Sequence, residues 1–204
     1  MAKKSYHHGD LAKALLEAAE AELNENGLER FSLRAVAKRA GVSHGAPAHH
    51  FTDVRGLLTA LAADGYERLL MQQTEREQSA AATVRDRMVA SGLGYIDFAM
   101  ANPQLFHLMF NSSIPNRDDE RFFNVALSVF DRLVENTTAK TGTNPYEDHS
   151  SMLDLMVSWS VVHGLAELIV SGRAERPLNL SQLDVEARDR LLSEIIGRAN
   201  NPAA

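Results

Sequence analysis

Apolar residues recur along this chain at helical spacing, and no stretch alternates with the period of a half-buried strand. In "DLAKALLEAAEAELNENG", Ala12, Leu15, Leu16, Ala19 and Leu23 share one face, with Asp10 as candidate N-cap and Gly27 as the stop. "SLRAVAKRAG" reads as a short helix capped by Ser32, apolar at Leu33, Val36, Ala37 and Ala40, and ended by Gly41. Ser43 is placed to cap the next short helix, with Val42 as a staple against position 47. Longer helices are expected over residues 53–77, 84–101, 103–110, 119–141, 146–171 and 184–198. Asn102 caps the third of these and Pro103 occupies its first position, where a missing N–H costs nothing. "RAERPLNLSQL" reads as an irregular connection. The pattern predicts an all-α protein of about nine helices, without internal repeats. It divides near residue 54, into a small domain over 1–54 and a larger one over 55–204.

Composition narrows the class. The 204 residues are 45% hydrophobic and 24% charged, which is ordinary for a globular protein. No apolar run was expected to reach the length of a membrane span, and "MAKKSYHHGD" has no apolar segment after its lysines, unlike a secretory signal. With no cysteine, disulfides and thiolate metal sites are excluded, and a cytoplasmic location fits. The net charge of −6 is unevenly spread. Residues 1–55 hold eight Lys/Arg against seven acids, and the rest of the chain holds thirteen against twenty. The stretch 30–52 carries Arg30, Arg34, Lys38 and Arg39 and no acid. An acidic protein with such a local basic face can still bind nucleic acid.

Two short helices joined by a glycine turn describe a helix-turn-helix. Ala37 is small enough for a close crossing, and Gly41 tolerates the positive φ such a turn requires. Past Ser43 the residues Gly45, Ala46 and Ala48 are small, and the side chains with reach are His44, His49 and His50. This segment, "SLRAVAKRAGVSHGAPAHHF", resembles the TetR family of bacterial transcriptional repressors over roughly residues 6–62. "SWSVVHGLAEL" resembles the Trp-x-x-x-His-Gly signature of one TetR subgroup, and "YHHGDL" at 6–11 resembles a segment typical of the same subgroup. The resemblance implies DNA contacts by Ser32, Arg34, Ser43, His44, Gly45, His49 and His50. Two positions depart from the family pattern, which has Tyr where this chain has Ala48 and Lys where it has Val54. Both usually hold phosphates, so Arg55, Lys3, Lys4 or His49 is expected to compensate. If none does, a helical ligand-binding protein with weakened DNA contact is the alternative.

The histidines do not read as a metal site. His44 and His49 are five apart, and His49 and His50 point about 100° apart on a helix, so neither pair has the i,i+4 spacing that gathers two imidazoles. No metal or other cofactor is expected.

In the larger domain Trp159, His163 and Glu167 lie along one helical stripe, and Gly164 is placed for a close helix approach. Two readings stay open. Either Trp159 is core and His163 pairs with Glu167, or they line a ligand pocket with Met156, Phe106, Phe110, Tyr95 and Phe98. The resemblance implies a small-molecule effector and a homodimer through helices 146–171 and 184–198. It also implies a double-stranded, pseudo-palindromic DNA operator from which the effector releases the protein. His149, Ser150 and Asp154 hold the residue types of a hydrolase without a nucleophile elbow or phosphate loop, so an enzyme is not expected.

Histidines facing phosphates give DNA binding a pH dependence, because only a protonated imidazole attracts phosphate strongly. DNA affinity should rise as pH falls from about 8 to 6, measured by fluorescence anisotropy; a flat profile would remove the charged imidazoles from the interface.

Overall fold

The computed structural model describes residues 8–81 and 83–199. Lys3 and Lys4, and Tyr6 and His7 of "YHHGDL", lie outside them. Among the described residues every regular element is helical: α1 (His8–Asn26), α2 (Leu33–Arg39), α3 (Ala46–Phe51), α4 (Val54–Gln78), α5 (Val84–Ala101), α6 (Pro103–Phe110), α7 (Glu120–Thr141), α8 (His149–Val170), α9 (Glu175–Leu178) and α10 (Val185–Ala199). The all-α expectation holds, and a tenth helix, the single turn α9, lies in the stretch expected to be irregular. Asn179 ends α9 in the left-handed region at φ 51°. Helix α1 starts at His8, so Asp10 sits inside its first turn instead of capping it.

Packing divides the chain into two compact units. Residues 1–66 and 104–125 form the first, and residues 67–103 and 126–204 the second. The boundaries fall inside α4 and α7, which contribute to both units, and just after Pro103, the first residue of α6. In the first unit α1 packs on α2 and α2 on α3. Leu15, Ala19 and Leu23 of α1, Val36 and Ala37 of α2, and Leu57 and Leu58 of α4 are buried. Ala37 thus sits in the core, as a close crossing needs. Arg39 ties α2 to α1 by pairing with Glu25 and with Glu22, a carboxylate only 3% exposed. Burying an acid is costly without a partner, so this pair fixes how the two helices meet.

Gly41 turns the chain between α2 and α3 at φ 70°. Beyond it the structure departs from expectation. The N-cap of α3 is Gly45, with no side-chain bond, and the Ser43 side chain does not cap; its backbone carbonyl instead accepts from the Ala46 N–H at 3.0 Å. Pro47 explains the shift. It stands in the first turn of α3, where its fixed φ starts a helix, and it is buried. Val42, expected beneath the turn, is only half-buried.

The corner from α3 to α4 is tight. Thr52 has φ 67° and ψ −57°, and the Asp53 N–H donates to the Phe51 carbonyl at 2.7 Å, which makes a strained γ-turn. Asp53 then caps α4: its Oδ1 accepts from the Gly56 N–H at 2.8 Å. A Cβ on Gly56 would lie 1.9 Å from the Phe51 carbonyl oxygen, so only glycine fits.

In the second unit α5 packs on α8, and α10 packs on both. Leu155, Ile96, Leu192 and Ile196 are buried there. The close helix approach expected at Gly164 occurs elsewhere: nothing lies within 4 Å of a Cβ built on Gly164, whereas one on Gly92 meets Ile196 and Val162 at 3.1 and 3.2 Å. Arg76 of α4 joins Asp97 of α5 at 2.8 Å and Asp189 of α10 at 2.8 Å, a three-helix ion-pair network. Helix α8 also corrects the expectation about membrane spans. By length and composition it could cross a bilayer, with a mean hydropathy of 1.5 and only 22% of that window buried.

Gly56→Ala should cost at least about 1–3 kcal/mol, the usual penalty of overpacking against atoms that cannot move aside. A urea midpoint equal to that of the unchanged protein would show that the α3–α4 corner yields.

Candidate nucleic-acid interface and ligand-contact residues

The first unit presents a basic surface on α2 and α3. Ser32 caps α2, its Oγ accepting from the Ala35 N–H at 3.4 Å, and is half-buried. Arg34, Lys38, Ser43, His44, Gly45 and His49 are exposed, and His50 is half-buried, with its ring 6.3 Å from that of Phe51. Ser32, Arg34, Lys38 and His44 line an open concavity of about 600 Å³ together with Ala35. The structure therefore brings four donors of α2 and the turn to one hollow. Three of them were singled out in the sequence, and Lys38 was not. His49 lies one turn on, its Nε2 3.9 Å from where a Gly45 Cβ would stand. Among the described residues no three His, Cys, Asp or Glu gather where a metal could sit.

Arg55 is placed differently from a free phosphate ligand. Its Nε donates to the Ile114 carbonyl at 3.0 Å, and its Nη2 to Asn116 Oδ1 at 3.4 Å. The Asn116 N–H donates to Thr59 Oγ1 at 2.9 Å, and Thr59 is 3% exposed. One full edge of the guanidinium thus fastens the start of α4 to the loop before α7. Nothing near Arg55 in sequence signals this, since its partners lie 59 and 61 residues away.

The residues expected around a ligand fall into separate places. Phe106 and Phe110 belong to the first unit, with ring centroids 4.8 Å apart. Tyr66 packs edge-on to Phe110, its hydroxyl donates to the Met109 carbonyl at 3.3 Å, and burial pushes its phenol up to about 12. Tyr95, Phe98, Met156, Trp159 and His163 belong to the second unit. There Tyr95 Oη and His163 Nδ1 are hydrogen-bonded at 2.8 Å, and His163 Nε2 lies 3.9 Å from Glu167 Oε1. Phe98 is buried beside Tyr95's helix turn, at 3% exposure. Trp159 and Met156 face outward, 36% and 42% exposed, with Trp159 edge-on to Phe130 at 5.6 Å.

The polar residues at the start of α8 have structural roles. Asp148 is the cap, accepting from the Ser151 N–H at 2.7 Å; His149 and Ser150 are exposed, and Asp154 pairs with Lys140 at 3.6 Å.

A helix-turn-helix with an acid-free basic face, joined to a larger helical unit, defines a transcriptional regulator. Comparison with known proteins gives the family. Residues 15–61 match the profile of bacterial regulatory proteins of the tetR family, and residues 88–192, half of the chain, match that of tetracyclin repressor-like C-terminal domains. The chain belongs to the TetR family of transcriptional regulators. It is similar to the HTH-type transcriptional regulator BetI of Yersinia pestis (strain Pestoides F), 50% identical over 46 residues. That match spans 22% of this chain and 23% of that relative. A protein of unknown function from Rhodococcus sp. RHA1 shares 28% identity at a TM-score of 0.76, over 96% of this chain and 98% of its own. A TetR-like transcriptional regulator from the same organism shares the fold, with a TM-score of 0.65, 15% identity and coverage of 97% and 100%.

Burial holds the His163 imidazole below its ordinary pKa, with the Glu167 carboxylate opposing. The folded state therefore resists a proton that the unfolded state accepts near pH 6.5. This contribution to stability is complete above that pH and is lost as pH falls through the lowered folded value. Between pH 7.5 and 5.5, the urea midpoint of His163→Gln should fall less than that of the unchanged protein. Equal falls would show that His163 does not titrate across folding.

Proposed function

We propose that this regulator is a repressor that binds a pseudo-palindromic operator as a homodimer and is released by a small-molecule effector. The observation that carries the reading is the acid-free hollow of Ser32, Arg34 and His44, with His49 exposed on the helix beyond. In this reading residues 1–54 read DNA and residues 55–204 sense and dimerise. Ser43, Gly45 and His50 complete the contacts, and the protein works in the cytoplasm. Lys3 and Lys4 are proposed as further phosphate contacts. One short recognition helix reaches only a few base pairs, so two related by a two-fold axis are required for a specific site.

The face of α8 supports the dimer. Leu153, Met156, Val157, Ser160, Gly164 and Leu168 follow one helical stripe, and the four large ones are 54%, 42%, 48% and 46% exposed. An apolar stripe of this extent on a helix of a soluble chain marks an interaction surface. Ser160 and Gly164 at its middle permit close approach. Val185 of α10, 63% exposed, extends the proposed surface. We assign the chain to the Trp-x-x-x-His-Gly subgroup on Trp159, His163 and Gly164. The Tyr95–His163 pair is the proposed effector contact, since a buried hydroxyl bonded to a half-buried imidazole within an apolar helical unit is the kind of polar group that orients a small molecule. A ligand there acts on DNA through α4, whose residues serve both units. A coupling of about 1–3 kcal/mol changes DNA affinity roughly 5- to 150-fold.

Footprinting on the DNA upstream of its own gene tests the reading. The unchanged protein should protect two half-sites with centres about 34–36 Å apart, or a multiple of that. The double variant Leu153→Glu, Met156→Glu should elute as a monomer and lose the footprint. No footprint from the unchanged protein would favour the second reading, a ligand-binding protein with decayed DNA contact, which Ala48 and Val54 motivate.

A further inference from the structure

We infer that Lys38, together with Arg34, grips the DNA backbone from α2 in place of the donors that positions 48 and 54 lack. The inference rests on the DNA-binding reading above and names a contact within it. Ala48 and Val54 are exposed but carry only methyl groups, so neither can donate to a phosphate. Two other arginines of the first unit are engaged. Arg39 turns back to Glu22 and Glu25 of α1. Arg55 spends its Nε–Nη2 edge on Ile114 and Asn116.

Arg30, Arg34 and Lys38 remain exposed, and of these Arg34 and Lys38 line the hollow. These last two are four residues apart, and so lie on one face of α2. Both are exposed, both line the hollow that His44 and Ser32 share, and among the described residues no ion pair holds either. No acid falls between residues 30 and 52 to offset them. A concave wall of one sign concentrates the field in its opening. Lysine suits this role: a compact charge on a flexible stem reaches a phosphate without demanding a fixed approach. Such a contact sets orientation and carries no sequence information. It shifts the grip from the start of α4 to the far side of the recognition helix.

Salt dependence reads the contact directly, because each neutralised phosphate adds about 0.9 to the log–log slope. Binding is measured by anisotropy from roughly 50 to 200 mM salt, on the upstream DNA and on a random-sequence duplex of about 30 base pairs. Lys38→Gln should flatten the slope by about 0.9 per bound protomer on both duplexes, and Lys38→Arg should restore it. The urea midpoint of Lys38→Gln should match that of the unchanged protein, which separates lost contact from lost fold. An unaltered slope in Lys38→Gln, on DNA that the unchanged protein binds, overturns the inference and leaves DNA binding standing. No salt-dependent binding by the unchanged protein to either duplex overturns both.

Discussion

The corner between α3 and α4 governs what the recognition helix can do. Thr52 holds a left-handed φ of 67° that a β-branched residue adopts only under constraint. Conformations of this kind cost about 1–3 kcal/mol and persist when the surroundings over-determine them. Here they do. The Phe51 carbonyl accepts from the Asp53 N–H, the Asp53 carboxylate caps α4, and Gly56 leaves room for that same carbonyl. A six-residue helix has little stability of its own. Its orientation comes from this corner on one side and from the Gly41 turn and buried Pro47 on the other.

Charge is sorted in the first unit by which cations the fold consumes. Arg39 anchors α2 to α1, and Arg55 anchors α4 to the loop containing Ile114 and Asn116. These two make the unit rigid. Arg34 and Lys38 are left at the surface, in a stretch of sequence without an acid. A fold that spends some arginines on its own carbonyls and carboxylates needs others for phosphate, and position along the chain does not say which. In the proposed DNA complex the thirteen Lys/Arg against twenty acids after residue 55 would repel the duplex, which leaves the attraction to the basic stretch 30–52.

How much of this was legible in the sequence follows from the range of each interaction. The nine longer helices were legible because the 3.6-residue period extends over many residues, and the Ser32 cap and Gly41 turn because they act within three or four positions. Helix α9 was not, since one turn shows no period and Pro177 obscures it. Ser43 does not cap because Pro47 in the first turn moves the start of α3 two residues on, to a Gly45 cap. The Arg55–Asn116 and Tyr95–His163 bonds join residues 61 and 68 apart, and no local pattern encodes either. Both sets of partners carried ordinary signals, a lone arginine and a lone tyrosine. The close approach expected at Gly164 falls at Gly92 instead, because which glycine a neighbouring helix meets depends on packing between distant segments.

Gly164, which the chain leaves open, bears on the proposed dimer. Gly92 is filled by Ile196 and Val162, so the interior of the second unit already uses a glycine for a close helix approach. Gly164, on the opposite face of α8 from buried Leu155 and Ala166, has nothing within 4 Å of where its Cβ would stand. A helix with a mean hydropathy of 1.5 and only 22% of its apolar window covered exposes apolar surface to water at a cost of roughly 25 cal/mol per Å². A second α8 laid across Ser160 and Gly164 removes that cost. It also supplies the two-fold axis that a palindromic reading requires. In the proposed dimer the same surface that lets α8 pass for a membrane span becomes half of a helix–helix interface.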